Sequence, residues 1–190
     1  MSSLGEAQIV IQKIKHLHQE KKNSLSFNKL RIIVAIERMV KRLECDSVLG
    51  KHLLFKGGFV LIKYFGSSRF TRDLGALGIN ISKDDVKELV PQALVVDLKD
   101  GFWFGNVKCK ELVDQGDYGG YRFDMAFQIG ETPVPGIIER LSRIHFDVGF
   151  GDSVEKIKTE KLEPLIEGGV ETFEEVWQKF LLVLQKLDQP

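Results

Sequence analysis

The residues best suited to chemistry gather between positions 54 and 80. Lys56-Gly57-Gly58 opens an apolar run there. Glycines let a ligand approach the backbone closely, and the first N–H groups of a helix point outward at an anion. With the point charge of Lys56 beside them, these residues read as a phosphate-binding turn. The same glycines would serve equally as a strand-to-helix turn that needs positive φ. The pattern is not a P-loop, because GxxxxGK[ST] is absent, and no GxGxxG occurs. Arg69-Phe70-Thr71-Arg72-Asp73-Leu74-Gly75 follows. In an extended segment, alternation puts Arg69, Thr71, Asp73 and Gly75 on one face. A strand carboxylate in that place can ligate Mg²⁺, which prefers oxygen ligands and substrate phosphates. The competing reading is an Arg-Asp pair on a solvated face.

A third segment runs His145-Phe146-Asp147-Val148-Gly149-Phe150-Gly151-Asp152. Arg143, His145 and Asp147 share a strand face there. A carboxylate in mid-strand is costly to bury unpaired, so Asp147 wants a metal, an arginine or an exposed cleft. On the plainer reading its partner is Arg143, on a partly exposed sheet face.

Together these segments resemble the AbiEii-type nucleotidyltransferase family, the toxin components of bacterial abortive-infection and toxin–antitoxin systems. The likeness covers roughly residues 28–160. The family shows a Lys-Gly-Gly turn at a helix start, then an Arg-x-Ser/Thr-x-Asp-x-Asp strand with an apolar residue between the acids. Later comes an apolar strand ending in Asp-x-Gly-Phe-Gly-Asp. Here these read Lys56-Gly57-Gly58, Arg69 to Gly75, and Asp147 to Asp152. The resemblance implies a polymerase-β-like nucleotidyltransferase fold, an α+β layout with a small mixed sheet flanked by helices. It implies transfer of a nucleotide from an NTP with Mg²⁺ onto RNA such as tRNA, in a bacterial cytoplasm, with an antitoxin protein as a partner. By the same resemblance Asp73 and Asp147 are the catalytic metal ligands. Lys56, Gly57 and Gly58 would cradle the phosphates, and Arg69 and Thr71 would shape that site.

The sequence departs from the family twice. The second acid of the Asp-x-Asp pair is Gly75. In this superfamily the strand carboxylates hold the metals that clamp the attacking and leaving oxygens. Loss of one carboxylate weakens at least one metal site, so transfer is expected to be weak or lost. The alternative is a catalytically inactive nucleotide- or protein-binding module that keeps the fold. Downstream, Glu160-Lys161-Leu162-Glu163 echoes a family helix, but the Arg-x-Lys-Asp segment beyond it is missing. The assignment of Lys161 as the family's active-site lysine stays open. One segment could compensate for Gly75. Arg122, Asp124 and Gln128 alternate against Phe123, Met125, Phe127 and Ile129. If this strand lies beside that of Asp147 with polar faces aligned, Asp124 is a candidate substitute ligand; a solvated face explains the pattern too.

Periodicity indicates the elements that must position these residues. Residues 6–22 form an amphipathic helix. Residues 30–44 form a stronger one, with Leu30, Ile33, Val34, Ile36, Val40 and Leu43 at helical spacing and Ser26 or Asn28 as cap. Residues 46–51 are a turn, 52–55 extended, 59–65 two helical turns and 70–79 a strand. Ser82-Lys83-Asp84-Asp85 starts another helix as a capping box, kinked or ended at Pro91. From Gly101 the period becomes two, with strands over 107–112, 121–129 and 143–150. Thr172 and Glu175 cap a helix over 172–187, whose apolar face includes Trp177, Phe180 and Leu181. One domain over 1–190 is expected: N-terminal helices to 50, a sheet-containing core over 51–160, and a C-terminal helix over 170–190.

Composition is that of a globular protein, with 190 residues, 43% hydrophobic and 28% charged. A net charge of zero argues against a chain-wide electrostatic grip on nucleic acid, leaving local patches. Lys13, Lys15, Lys21, Lys22, Lys29 and Arg31 could form one, or simply a solvated helix face. Cys45 and Cys109 are far apart and read as free thiols in a reducing compartment. The N-terminus is neither apolar nor basic, so no signal peptide is expected. No apolar run approaches the ~20 residues that span a bilayer. The expected location is the cytoplasm, with no membrane partner.

Overall fold

The computed structural model describes residues 3–20, 25–65, 70–113, 119–151, 157–161, 163–166 and 177–181. Two long helices lead, α1 (Ser3–Glu20) and α2 (Phe27–Cys45). Ser26 caps α2 by accepting a hydrogen bond from the Lys29 N–H. The Asp46 carboxylate accepts the Val48 and Leu49 N–H groups and starts α3 (Leu49–His52), a short helix where a plain turn was expected. Then follow β1 (Leu53–Lys56), α4 (Gly58–Phe65), β2 (Asp73–Gly78) and α5 (Lys83–Leu94). After α5 the chain is mostly strand: β3 (Phe102–Leu112), β4 (Gly120–Ile129), a 3-10 helix (Pro135–Arg140), β5 (Ser142–Gly149), β6 (Ile157–Lys161) and β7 (Trp177–Leu181).

The strands form one mixed sheet in the order β3-β4-β5-β2-β1-β7-β6. Hairpin-like antiparallel pairs join β3 to β4 and β4 to β5, while β2 runs parallel to β5. Alternation decides the faces. Phe55, Leu74, Ala76, Phe123, Met125, Ile144, Phe146 and Val148 point to one side and pack with α1, α2 and α5 in a single core. The other side carries the polar residues and only a small apolar cluster of Leu54 and Leu77. The expected α+β arrangement, a mixed sheet flanked by helices, is thus present.

Helix α2 is central, and even its charged stripe is buried. Arg42 donates to both oxygens of Asp100 at 2.7 and 2.9 Å, and to the carbonyls of Arg38, Val96 and Phe102. Glu37 accepts from Lys63 Nζ of α4 at 2.7 Å and from the Leu165 N–H at 3.1 Å. Both pairs tie flanking segments to one helix, and burial is tolerable because each charge has its counter-charge.

Several expectations need correction. Pro91 lies inside α5, which continues to Leu94 because Val90, Ala93 and Leu94 are buried against the core on both sides of it. The Ser82 cap does form, its hydroxyl accepting the Asp85 N–H and donating to the Asp85 carboxylate. Strand β3 starts at Phe102 and absorbs a bulge between Gly105 and Lys108, with Asn106 at φ 47°. Residues 177–181, read as part of a helix, form a strand instead. Pairing with the open edge of β1, in the register Phe55 to Phe180, overrides local helical periodicity. The rest of that expected helix, with Thr172 and Glu175, lies outside the described residues. Lys161 ends β6, the outermost strand, rather than lying on a helix.

Candidate active site

The site is built where β1 hands over to α4. Lys56 closes β1, Gly57 adopts φ +84°, and Gly58 opens the helix. The Gly57 carbonyl accepts the Leu61 N–H, so helical bonding begins at the turn itself. Glycine is favoured at both positions, most strongly at 57. Positive φ strains any L side chain at 57, and a Cβ at 58 would lie 3.3 Å from the Thr71 side chain. At 57 the direction of a Cβ is open, with nothing within 4 Å.

Strand β2 begins later than alternation suggested. The Thr71 hydroxyl donates to the Asp73 carbonyl and accepts the Asp73 N–H. That local loop holds Thr71 outside the ladder. Asp73 is the first strand residue, exposed and opposite His145 of β5. Two residues on, Gly75 is opposite Asp147. A cleft of about 350 Å³ lies over this junction, lined by Gly57, Gly58, Leu61, Phe70, Thr71, Asp73, Leu74, Gly75 and Asp147. The fold therefore brings the glycine turn, Thr71, Asp73 and Asp147 around one cavity. Lys56 and Asp124 are not among its lining residues, and Arg69 lies outside the described residues.

The polar face of the sheet continues as two rows. One crosses the strands as Lys56, Gly75, Asp147, Arg122 and Lys110; the other as Asp73, His145, Asp124 and Lys108. The partner of Asp147 is Arg122, not Arg143. Arg122 donates from Nε and Nη2 to both oxygens of Asp147 at 2.8 and 2.7 Å. That contact holds the Arg122 guanidinium above its ordinary pKa. Arg143 instead donates from Nε to Asp124 at 2.5 Å, with a further bond to the Asp124 carbonyl. His145 Nδ1 is 2.7 Å from Asp73 Oδ1, and its Nε2 is 4.0 Å from Asp124 Oδ2. Asp124 does share the face of Asp147, as the aligned-faces reading required, but its carboxylate is held by Arg143.

Two residues went without a role in the sequence reading. Arg122 and His145 were visible as alternating polar positions, yet nothing local reveals that they stand beside Asp147 and Asp73. That adjacency comes from strand pairing between distant segments.

These residues do not fit a resident two-metal centre. Gly75 supplies no oxygen where the second strand acid would stand. Asp147 has both oxygens in a fork with Arg122, and Asp73 has one facing His145. Among the described residues, no three His, Cys, Asp or Glu side chains converge to hold a metal ion.

Residues 38–187, most of the chain, match the family model described as "Nucleotidyl transferase AbiEii toxin, Type IV TA system". No relative of curated description matches the chain. No helix among the described residues is long and apolar enough to cross a membrane.

Proposed function

The chain belongs to the AbiEii family of nucleotidyl transferase toxins, and on that premise we propose that its cleft binds an NTP but transfers the nucleotide weakly or not at all. Its mixed α/β architecture is that of the family's nucleotidyltransferase fold. In this reading the Gly57-Gly58 turn and the first N–H groups of α4 receive the phosphates, with Lys56 and Arg69 adding charge and Thr71 closing the wall. The acceptor would be an RNA such as tRNA, the setting a bacterial cytoplasm, and the partner an antitoxin-like protein. Any residual transfer would need Mg²⁺, as the family generally uses a divalent metal. Asp73 and Asp147 are the catalytic carboxylates that remain for it.

One observation carries the reading of impaired catalysis: Gly75 stands opposite Asp147 in the β2–β5 register, at the edge of the cleft. An in-line displacement needs both the attacking and the leaving oxygen clamped, and Gly75 offers no carboxylate for the shared position. The Arg122 fork on both oxygens of Asp147 favours the second reading, a binding module that keeps the fold without the chemistry. The test is incubation of labelled NTP and Mg²⁺ with total tRNA. Little or no label on RNA is expected. Robust labelling that Asp73→Ala abolishes would show that the site works despite Gly75.

A further inference from the structure

The carboxylates that would gather a metal are engaged by basic side chains of the chain itself. Arg122 forks onto Asp147, His145 faces Asp73, and Arg143 holds Asp124. The row through Gly75 sets three cations, Lys56, Arg122 and Lys110, against the single carboxylate of Asp147. An acid at position 75 would add a second negative charge beside the first, and a triphosphate would then need a divalent ion to offset the repulsion. With glycine there, this row stays net positive and stands beside a cleft wall whose own charged residues are Asp73 and Asp147.

Arg122 is the group placed to use that field. Its side chain is 40% exposed, and Asp147, which it grips, forms part of the cleft wall. A guanidinium has five N–H donors in a planar fork, and Asp147 takes two of them. Arginine pairs with phosphate in two-pronged fashion and keeps its charge at any physiological pH. Resting on the nucleotide reading above, we propose that Arg122, seated on Asp147, takes the divalent ion's part as counter-charge to the nucleotide phosphates. The cleft then binds a nucleoside triphosphate without metal, which separates binding from the metal-requiring transfer.

Calorimetry of the full chain with ATP, GTP, CTP and UTP in turn, in Mg²⁺ and separately in EDTA, tests this. The expected Kd in EDTA stays within about threefold of that in Mg²⁺, and Arg122→Gln weakens it by at least about tenfold, the scale of one lost charge-assisted hydrogen bond. Arg122→Lys, which keeps the charge and loses the fork, falls between them. Circular dichroism checks that each variant is folded; should Arg122→Gln not fold, the wild-type comparison and Arg122→Lys decide. Binding seen only with Mg²⁺ overturns the proposal and leaves the nucleotide reading standing. Unchanged binding by Arg122→Gln in EDTA also overturns it. No binding in either medium removes the nucleotide reading and this proposal with it.

Discussion

Gly75 and Asp147 stand side by side on the parallel strands β2 and β5, so a side chain added at 75 would join the polar row of Asp147. A Cβ there would meet the Lys56 carbonyl oxygen at 3.2 Å and the Lys56 Cγ at 3.5 Å. To admit it, Lys56 must yield by a few tenths of an ångström, a small shift. Gly75→Asp is therefore expected to fold and to raise Mg²⁺-dependent labelling of RNA by at least about tenfold, as one recovered metal contact should. A folded variant that gains no transfer would mean that something other than residue 75 limits the chemistry.

Arg42 and Asp100 form a pair with side chains 1% and 0% exposed. Removing one member strands the other. Asp100→Ala should cost about 3–5 kcal/mol, read from urea unfolding. The double variant Arg42→Met with Asp100→Leu should recover much of that loss, because it removes both buried charges together. A double variant as weak as the single one would show that the bonds from Arg42 to the Arg38, Val96 and Phe102 carbonyls matter more than the ion pair.

Burial pushes the Glu37 carboxyl above its ordinary range, and Lys63 and the Leu165 N–H pull it back only in part. A carboxyl with a raised folded pKa binds its proton more tightly in the folded state. Its contribution is complete below the unfolded value of about 4.3 and is lost as pH rises through the folded one. Glu37→Gln, which keeps an acceptor for Leu165 and Lys63, removes that slope. Urea midpoints should show the variant gaining on the wild type as pH rises from about 4.3 toward neutrality. A difference that stays flat, or that runs the other way, would indicate that the Lys63 pair governs the titration.

What was legible in the chain was local. Strands β3, β4 and β5 could be read from period-two alternation, and α2 and the Ser82 cap from spacing and side-chain chemistry. The Lys56-Gly57-Gly58 turn was also readable, since the positive φ at Gly57 favours glycine. What escaped was decided by partners far away in sequence. Thr71 leaves the ladder through its own hydroxyl bonds, so alternation counted from Arg69 started too early. Arg122 rather than Arg143 meets Asp147 because β4 and β5 pair in one register among several that alternation allows. The helical pattern around Trp177 yielded to an open strand edge. The burial of the charged stripe of α2 likewise depends on Asp100 and Lys63, far away in sequence.

The position of β1 has a consequence for the order of folding. This four-residue strand lies inside the sheet, with β2 on one side and β7 on the other. Its first neighbour arrives soon after it in synthesis, and its second more than a hundred residues later. Until residues 177–181 have emerged, one edge of β1 can pair with any passing strand, the hazard that open edges carry. The turn that bears Gly57 is attached to that same strand. Completion of the sheet by β7 therefore also secures the strand from which the Gly57-Gly58 turn springs.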